Sequence, residues 1–301
     1  MKKIKDIIDR YAYYIMTAPG AVLIFMFGYL PMFGIVLAFK NFKPSQGFLG
    51  SPWCGLGNFK AFFSSPDIGY LTRNTVLYNL AFIFLGTVIA ILFAILMNEL
   101  RSKAKVKFYQ TIAMMPHFLS YVIVAYLAYA FLGNTYGILN RTVLPALGME
   151  PIKWYGEAKY WPFILFFVRT WKSVGYSSVI YFAAIAGISP EYYEAAIVDG
   201  ANRFQLATKV TLPLLRSIIC IQLIMAMGGI FNSDLGLFYN VPMNQGALYP
   251  TTNVLTTYIY RNVSKVGYST AAGLYSSVIG FLLVLLSNFI IRKVDSDSSL
   301  F

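Results

Sequence analysis

The sequence predicts an all-α, polytopic membrane protein of about six transmembrane helices, on three observations. Of its 301 residues 58% are hydrophobic and 12% charged, with a mean hydropathy of +0.62, which leaves too little polar surface to cover a soluble globule. Several apolar stretches reach the roughly 20 residues that a helix needs to cross a hydrocarbon core about 30 Å thick. Basic residues crowd into the short segments between them. The net charge of +12 is therefore read as topology and not as a nucleic-acid footprint.

Apolar length places the spans at roughly 17–39, 75–97, 108–132, 161–187, 214–232 and 270–291. The first is interrupted by Pro31 and is too long for a signal-peptide core, so it is expected to be retained. Lys2, Lys3, Lys5 and Arg10 precede it, Arg101, Lys103, Lys105 and Lys107 fill the short loop after the second span, and Arg292 and Lys293 follow the last. The positive-inside rule puts all of these in the cytoplasm, so both termini are expected there. The expected organisation is a cytoplasmic segment 1–16, a first helix 17–39, an external loop 40–74, a transmembrane core 75–291 and a cytoplasmic tail 292–301, whose stretch Asp295–Ser299 is polar. Trp53, Phe59, Phe62, Phe63, Trp154, Tyr155 and Trp161 read as an interfacial aromatic belt. Cys54 and Cys220, one in a loop and one in a span, give neither a disulfide framework nor a metal site.

The segment 188–213, between spans four and five, carries the most local information. Ser189 suits an N-cap, Pro190 the first helical position, Glu191 the positive helix end, and Gly200 a left-handed close. A short helix of about ten residues follows, outside the membrane core. On a 3.6-residue period Tyr192, Ala195, Ala196 and Asp199 share one side, with small residues that admit another surface and a tyrosine to anchor it. Composition alone also fits an ordinary interfacial connector.

The spacing is more specific. Glu194-Ala195-Ala196, three residues, Gly200, nine residues, Val210, one residue, then Leu212-Pro213 resembles the EAA loop of ABC importer permeases, with valine where isoleucine is commoner. The stretches YLPMFGI (Tyr29–Ile35), GSPWCGLGNF (Gly50–Phe59), MNEL (Met97–Leu100), MPHFLS (Met115–Ser120) and TYIYR (Thr257–Arg261) are similar to permeases of aldouronate or polysaccharide-fragment importers. The resemblance implies the type I ABC importer permease fold and a coupling helix seated on an ATP-binding subunit. It further implies an ATPase dimer that holds ATP and Mg, a second related permease, an extracellular lipid-anchored sugar-binding protein and an oligosaccharide cargo. No cofactor is expected on this chain itself. It contains no G-x-x-x-x-G-K-[ST] loop, so ATP hydrolysis is expected in a partner.

For the solute pathway, Arg169 and Lys172 lie inside span four, where charges avoid lipid and face a cavity or an interface. Arg169, Lys172 and Tyr176 fall at i, i+3 and i+7 on one helical face, and snorkelling or interhelical pairing of the two cations is the alternative. In similar maltose-importer permeases a tyrosine at about the distance of Tyr176 before the EAA loop contacts sugar, a role the resemblance carries to Tyr176. At the outer end of span five Gly228 and Gly229 allow close helix approach, and Asn232, Ser233 and Asp234 offer polar groups near a pathway mouth. His117, the only histidine, reads as structural. An ion-coupled transporter should show carboxylates deep in the spans, and a membrane sugar transferase should show clustered carboxylates or His/Asp pairs. The sequence shows neither pattern.

Overall fold

The computed structural model describes residues 2–100 and 102–294, with the side chains of Lys2, Lys3, Lys5 and Arg10, together with Arg101 and the polar tail Asp295–Ser299, outside the described residues. The described chain is helical apart from its turns and one isolated bridge between Lys40 and Trp53. It divides into two compact units, Met1–Pro66 with Ile259–Tyr275, and Asp67–Tyr258 with Ser276–Phe301.

In the first unit, helix α1 (Lys2–Ile24) continues through a π turn (Phe25–Tyr29) and a 3-10 stretch (Leu30–Phe39). The run Tyr11–Phe39 is long and apolar enough to span a bilayer, and exposes side chains such as Phe27 and Phe33. Helix α2 (Gly57–Phe63) follows. Its Asn58 amide donates to the carbonyls of Ala38 and Lys40, both at 2.9 Å, and so pins the chain where the first span ends. Phe62 is fully buried against Tyr268 and Tyr275, at ring distances of 6.0 and 5.6 Å.

The second unit contains helices α3 (Ile68–Asn98), α4 (Lys103–Phe118), α5 (Tyr121–Leu132), α6 (Trp161–Ala186), α7 (Pro190–Val198) and α8 (Leu212–Gly228). Two further helices, α9 (Leu255–Arg261) and α10 (Val266–Val294), each contribute residues to both units. Two hydrophobic clusters organise the second unit. One gathers Tyr78, Leu165, Val168 and Phe238 around the buried Trp161. The other joins Ala90, Ile91 and Ala94 of α3 to Tyr181 and Ile185 of α6 and Leu215 of α8. The order of these contacts makes α3 and α6 run in the same direction and α8 against them.

Among the described residues four helical runs are long and apolar enough to cross a membrane, and two bent pairs bring the number to six. One bent pair corrects the expectation of a single span at 108–132. The chain breaks after α4 and turns by 98° into α5, because Leu119 and Ser120 are extended and the Ser120 hydroxyl accepts from Ile123 N to cap a fresh helix. Helix starts also differ from the apolar windows. The run expected at 75 begins at Ile68, and the one expected at 214 begins at Arg203. Asn74 shows why the first of these extends. Its buried amide donates to the carbonyls of Pro250 and Asn253, which lets a polar turn continue the helix.

Prolines recur in one setting. Pro31, Pro145, Pro213 and Pro242 each stand two residues after a π-helical segment, at Phe25–Tyr29, Leu139–Val143, Leu206–Thr211 and Gly236–Asn240. A proline ring cannot donate to the carbonyl four residues back and collides with it, and the wider π turn moves that carbonyl aside without ending the helix. For this reason the fifth span runs through Pro213 and does not begin there.

The aromatic belt is also partly corrected. Trp53 and Phe63 are exposed, whereas Phe62, Tyr155 and Trp161 are buried in protein. The Trp161 indole donates to Trp154 O at 2.7 Å, and the Trp154 indole to Asn140 Oδ1 at 2.9 Å. These donors are satisfied internally. Burial pushes the Tyr155 phenol up from its ordinary pKa, so it stays a neutral donor, at 3.3 Å from Val241 O.

Candidate permeation cavity and coupling helix

Between the two clusters α3, α6 and α8, with Met114 of α4, line an open-sided cavity of about 840 Å³, in the upper range of ligand pockets. Its wall combines apolar side chains with hydroxyls and amides, among them Asn79, Thr87, Ser173 and Gln222. Of the described residues lining it, Arg169 alone carries a formal charge. Tyr176, Gly229 and Asn232 of the expected pathway also line it. Sequence reasoning missed Asn79, Thr87 and Gln222, although isolated polar residues inside apolar runs are the signal that marks a cavity wall.

Three expected pathway residues are used elsewhere. Lys172 is buried, 7% exposed, and its ammonium donates to the carbonyls of Pro116 and His117 and lies 5.0 Å from the Tyr121 ring. Its helical phase is the one expected, but that phase points at the break between α4 and α5, where the end of a helix leaves carbonyls without partners. It is a clamp on that break and not part of the cavity wall. Lys172→Met is expected to take the ammonium donor from His117 O, while Pro116 O keeps Leu119 N at 3.2 Å, and to cost about 1–3 kcal/mol, measured as a lower melting temperature of the purified protein. Ser233 accepts from Asn79 Nδ2 at 2.8 Å. Asp234 accepts from Leu237 N at 3.2 Å, and its other oxygen lies 3.9 Å from Arg169 Nη1. That ion pair is loose and half exposed, so it is worth little and exchanges readily. Gly228 meets the expectation of close approach, since a Cβ there would lie 2.8 Å from Val284 Cγ2.

At the opposite end α7 leaves α6 at an angle of 71°. The Ser189 hydroxyl accepts from Glu191 N, and Pro190 is the first helical residue. The helix closes on Gly200 at φ +81°, with Gly200 N donating to Ile197 O at 3.0 Å and Ala201 N to Ala196 O at 2.9 Å. This is the paired-bond close that a glycine in the left-handed region allows. Glu194, Ala195 and Asp199 are exposed and Ala196 is half buried, while Tyr192, Ile197 and Val198 stand open to the surroundings. Behind this face Tyr193 Oη lies 3.1 Å from Thr211 Oγ1, and Arg203 pairs with Glu99 at the end of α3. Leu212 is half buried and Pro213 exposed at the root of α8. Tyr193 thus ties α7 to the run that leads into α8, and Arg203 at the start of that run ties it to the end of α3. Among the described residues no three His, Cys, Asp or Glu side chains gather as metal ligands do.

The model of the binding-protein-dependent transport system inner membrane component family matches residues 83–296. The chain belongs to this family. As such a component it is a membrane permease subunit of an ABC-type importer, which decides against the ion-coupled transporter and the membrane enzyme. It is 33% identical over 287 residues to Protein LplB of Bacillus subtilis, covering 94% of this chain and 89% of that one. It is 35% identical over 300 residues to the polygalacturonan/rhamnogalacturonan transport system permease protein YteP of the same organism, covering 98% and 91%. Among solved structures it superposes with a TM-score of 0.85 and 33% identity on a chain of a bacterial ABC transporter involved in the import of the acidic polysaccharide alginate, covering 98% of this chain and 100% of that one.

Proposed function

We propose that this permease carries an acidic oligosaccharide across the cytoplasmic membrane, as one of two related permeases in an ATP-driven importer. The observation that carries the acidic cargo is the cavity itself, in which one guanidinium, Arg169, stands among hydroxyls and amides. A guanidinium binds carboxylate through two parallel hydrogen bonds. The loose Asp234 pair holds Arg169 until a uronate competes for it. The polar wall suits sugar hydroxyls, and the Tyr176 ring offers a flat apolar face with a hydroxyl at its edge. The polygalacturonan/rhamnogalacturonan and alginate systems among its relatives support the same cargo class.

An extracellular, lipid-anchored binding protein delivers the sugar, and a solved relative of 32% identity belongs to an alginate transporter in complex with an alginate pentasaccharide-bound periplasmic protein. An ATPase dimer, which binds the ATP and Mg, docks on Tyr192, Glu194, Ala195, Ala196, Asp199 and Gly200. Its closure and opening pull on α7, and through Thr211 and Glu99 on α8 and α3, so that the cavity faces outward and inward in turn. Both termini lie in the cytoplasm.

The test is uptake into proteoliposomes containing the assembled importer, with trigalacturonate and maltotriose in competition. Arg169→Gln is expected to lower the preference for the acidic sugar about tenfold or more. The binding protein is the same in both preparations, so its own preference cancels in the ratio. A preference unchanged by the substitution sinks the acidic reading.

A further inference from the structure

The His117 ring has no role in the reading above, yet it touches a tyrosine of the cavity wall. Its ring stacks on that of Tyr176, with centroids 4.2 Å apart and an angle of 4° between the planes. One face of the tyrosine is covered by this stack, while Tyr176 remains 56% exposed and lines the cavity. His117 is itself fixed. It stands at the end of α4, and its carbonyl accepts from the Lys172 ammonium, one turn before Tyr176 on α6. Between these two residues Gly175 lets the α4 backbone come into contact with α6. Main chain and ring of His117 are thus both held by one face of α6.

A tyrosine on a cavity wall would otherwise sample several rotamers, and each loss of freedom on ligand binding weakens the complex. A backing ring removes that freedom beforehand and leaves one face open. We infer that His117 is a positioning residue, which holds the Tyr176 ring as a flat platform against which a pyranose ring of the transported oligosaccharide stacks. This rests on the importer reading above. It gives His117 a specificity role that acts through Tyr176 and not through contact with the sugar.

The experiment uses the complete importer in proteoliposomes and follows uptake of labelled trigalacturonate, alginate pentasaccharide and maltotriose. His117→Leu supplies a side chain of similar bulk that cannot stack, and His117→Phe restores a flat ring. Uptake by His117→Leu is expected to fall about threefold to tenfold, in line with the worth of an aromatic stack, and His117→Phe to recover most of it. The decisive comparison is with Tyr176→Ala. The double variant should transport no worse than Tyr176→Ala alone, because a positioning residue has nothing left to position. If His117→Leu transports like the wild type, if it lowers uptake further in the Tyr176→Ala background, or if His117→Phe behaves like His117→Leu, the inference is overturned. Should His117→Leu fail to assemble, the comparison of His117→Phe with His117→Asn in both backgrounds reads the same dependence. A wild-type importer that takes up none of the three sugars contradicts the importer reading itself, and this inference with it.

Discussion

Gly175→Ala is expected to abolish transport and to lower the yield of folded protein more than any other single methyl group added to this chain. A Cβ at Gly175 would lie 2.0 Å from the Ala113 carbonyl oxygen, 2.2 Å from its carbon and 2.7 Å from Met114 N. All three are backbone atoms of α4, so no side chain can swing aside to make room. Either α4 moves off α6 or one of the two helices distorts, and such overpacking costs about 1–3 kcal/mol or more. The displacement also separates Lys172 from the carbonyls of Pro116 and His117, and Tyr176 from the His117 ring. The damage therefore reaches the cavity wall. Melting of the detergent-solubilised protein checks the first effect and proteoliposome uptake the second. Gly86→Ala is the control for stability, since Gly86 has open space where its Cβ would go. Equal melting temperatures for Gly175→Ala and wild type would show that the two helices are not packed as described.

Gly200→Val is expected to uncouple ATP hydrolysis from transport while leaving the membrane helices folded. At φ +81° a valine is strained by about 1–2 kcal/mol, and relief of that strain undoes the bonds from Gly200 and Ala201 that close α7. No atom of this chain lies near the added Cβ, so within the chain the effect is one of backbone conformation and not of collision. Gly200→Asn provides the contrast, because asparagine tolerates the left-handed region. Stimulation of ATPase activity by sugar-loaded binding protein should be lost with valine and largely kept with asparagine. Equal stimulation in both variants would remove the conformational role given to Gly200.

What could be read in the sequence was what depends on near neighbours. Ser189, Pro190 and Gly200 declare the ends of α7 by local chemistry, and the structure places the cap and the left-handed close at those residues. Apolar length found the membrane segments but not their ends, because turns such as the one holding Asn74 become helical only through partners distant in sequence. The helical phase of Lys172 was legible, and its target was not. That target is the pair of carbonyls of Pro116 and His117 beside a break in another helix, and Pro116 alone does not reveal a 98° turn. The cavity was half legible. Arg169 and Tyr176 stood out as a charge and a tyrosine on one face of an apolar helix, whereas Asn79 and Gln222 become wall residues only when α3 and α8 come together around α6.

The central claim is that this chain moves sugar under the control of an ATPase it does not itself contain, and reconstitution tests it most directly. The tagged chain is coexpressed with its neighbouring genes, purified with whatever products associate with it, sealed into proteoliposomes with added sugar-loaded binding protein, and assayed for trigalacturonate uptake with and without ATP and with an imposed ion gradient. The account predicts that an ATPase copurifies, that sugar-loaded binding protein stimulates it, and that uptake follows ATP. A chain that associates with no ATPase and whose uptake follows the ion gradient instead would contradict it.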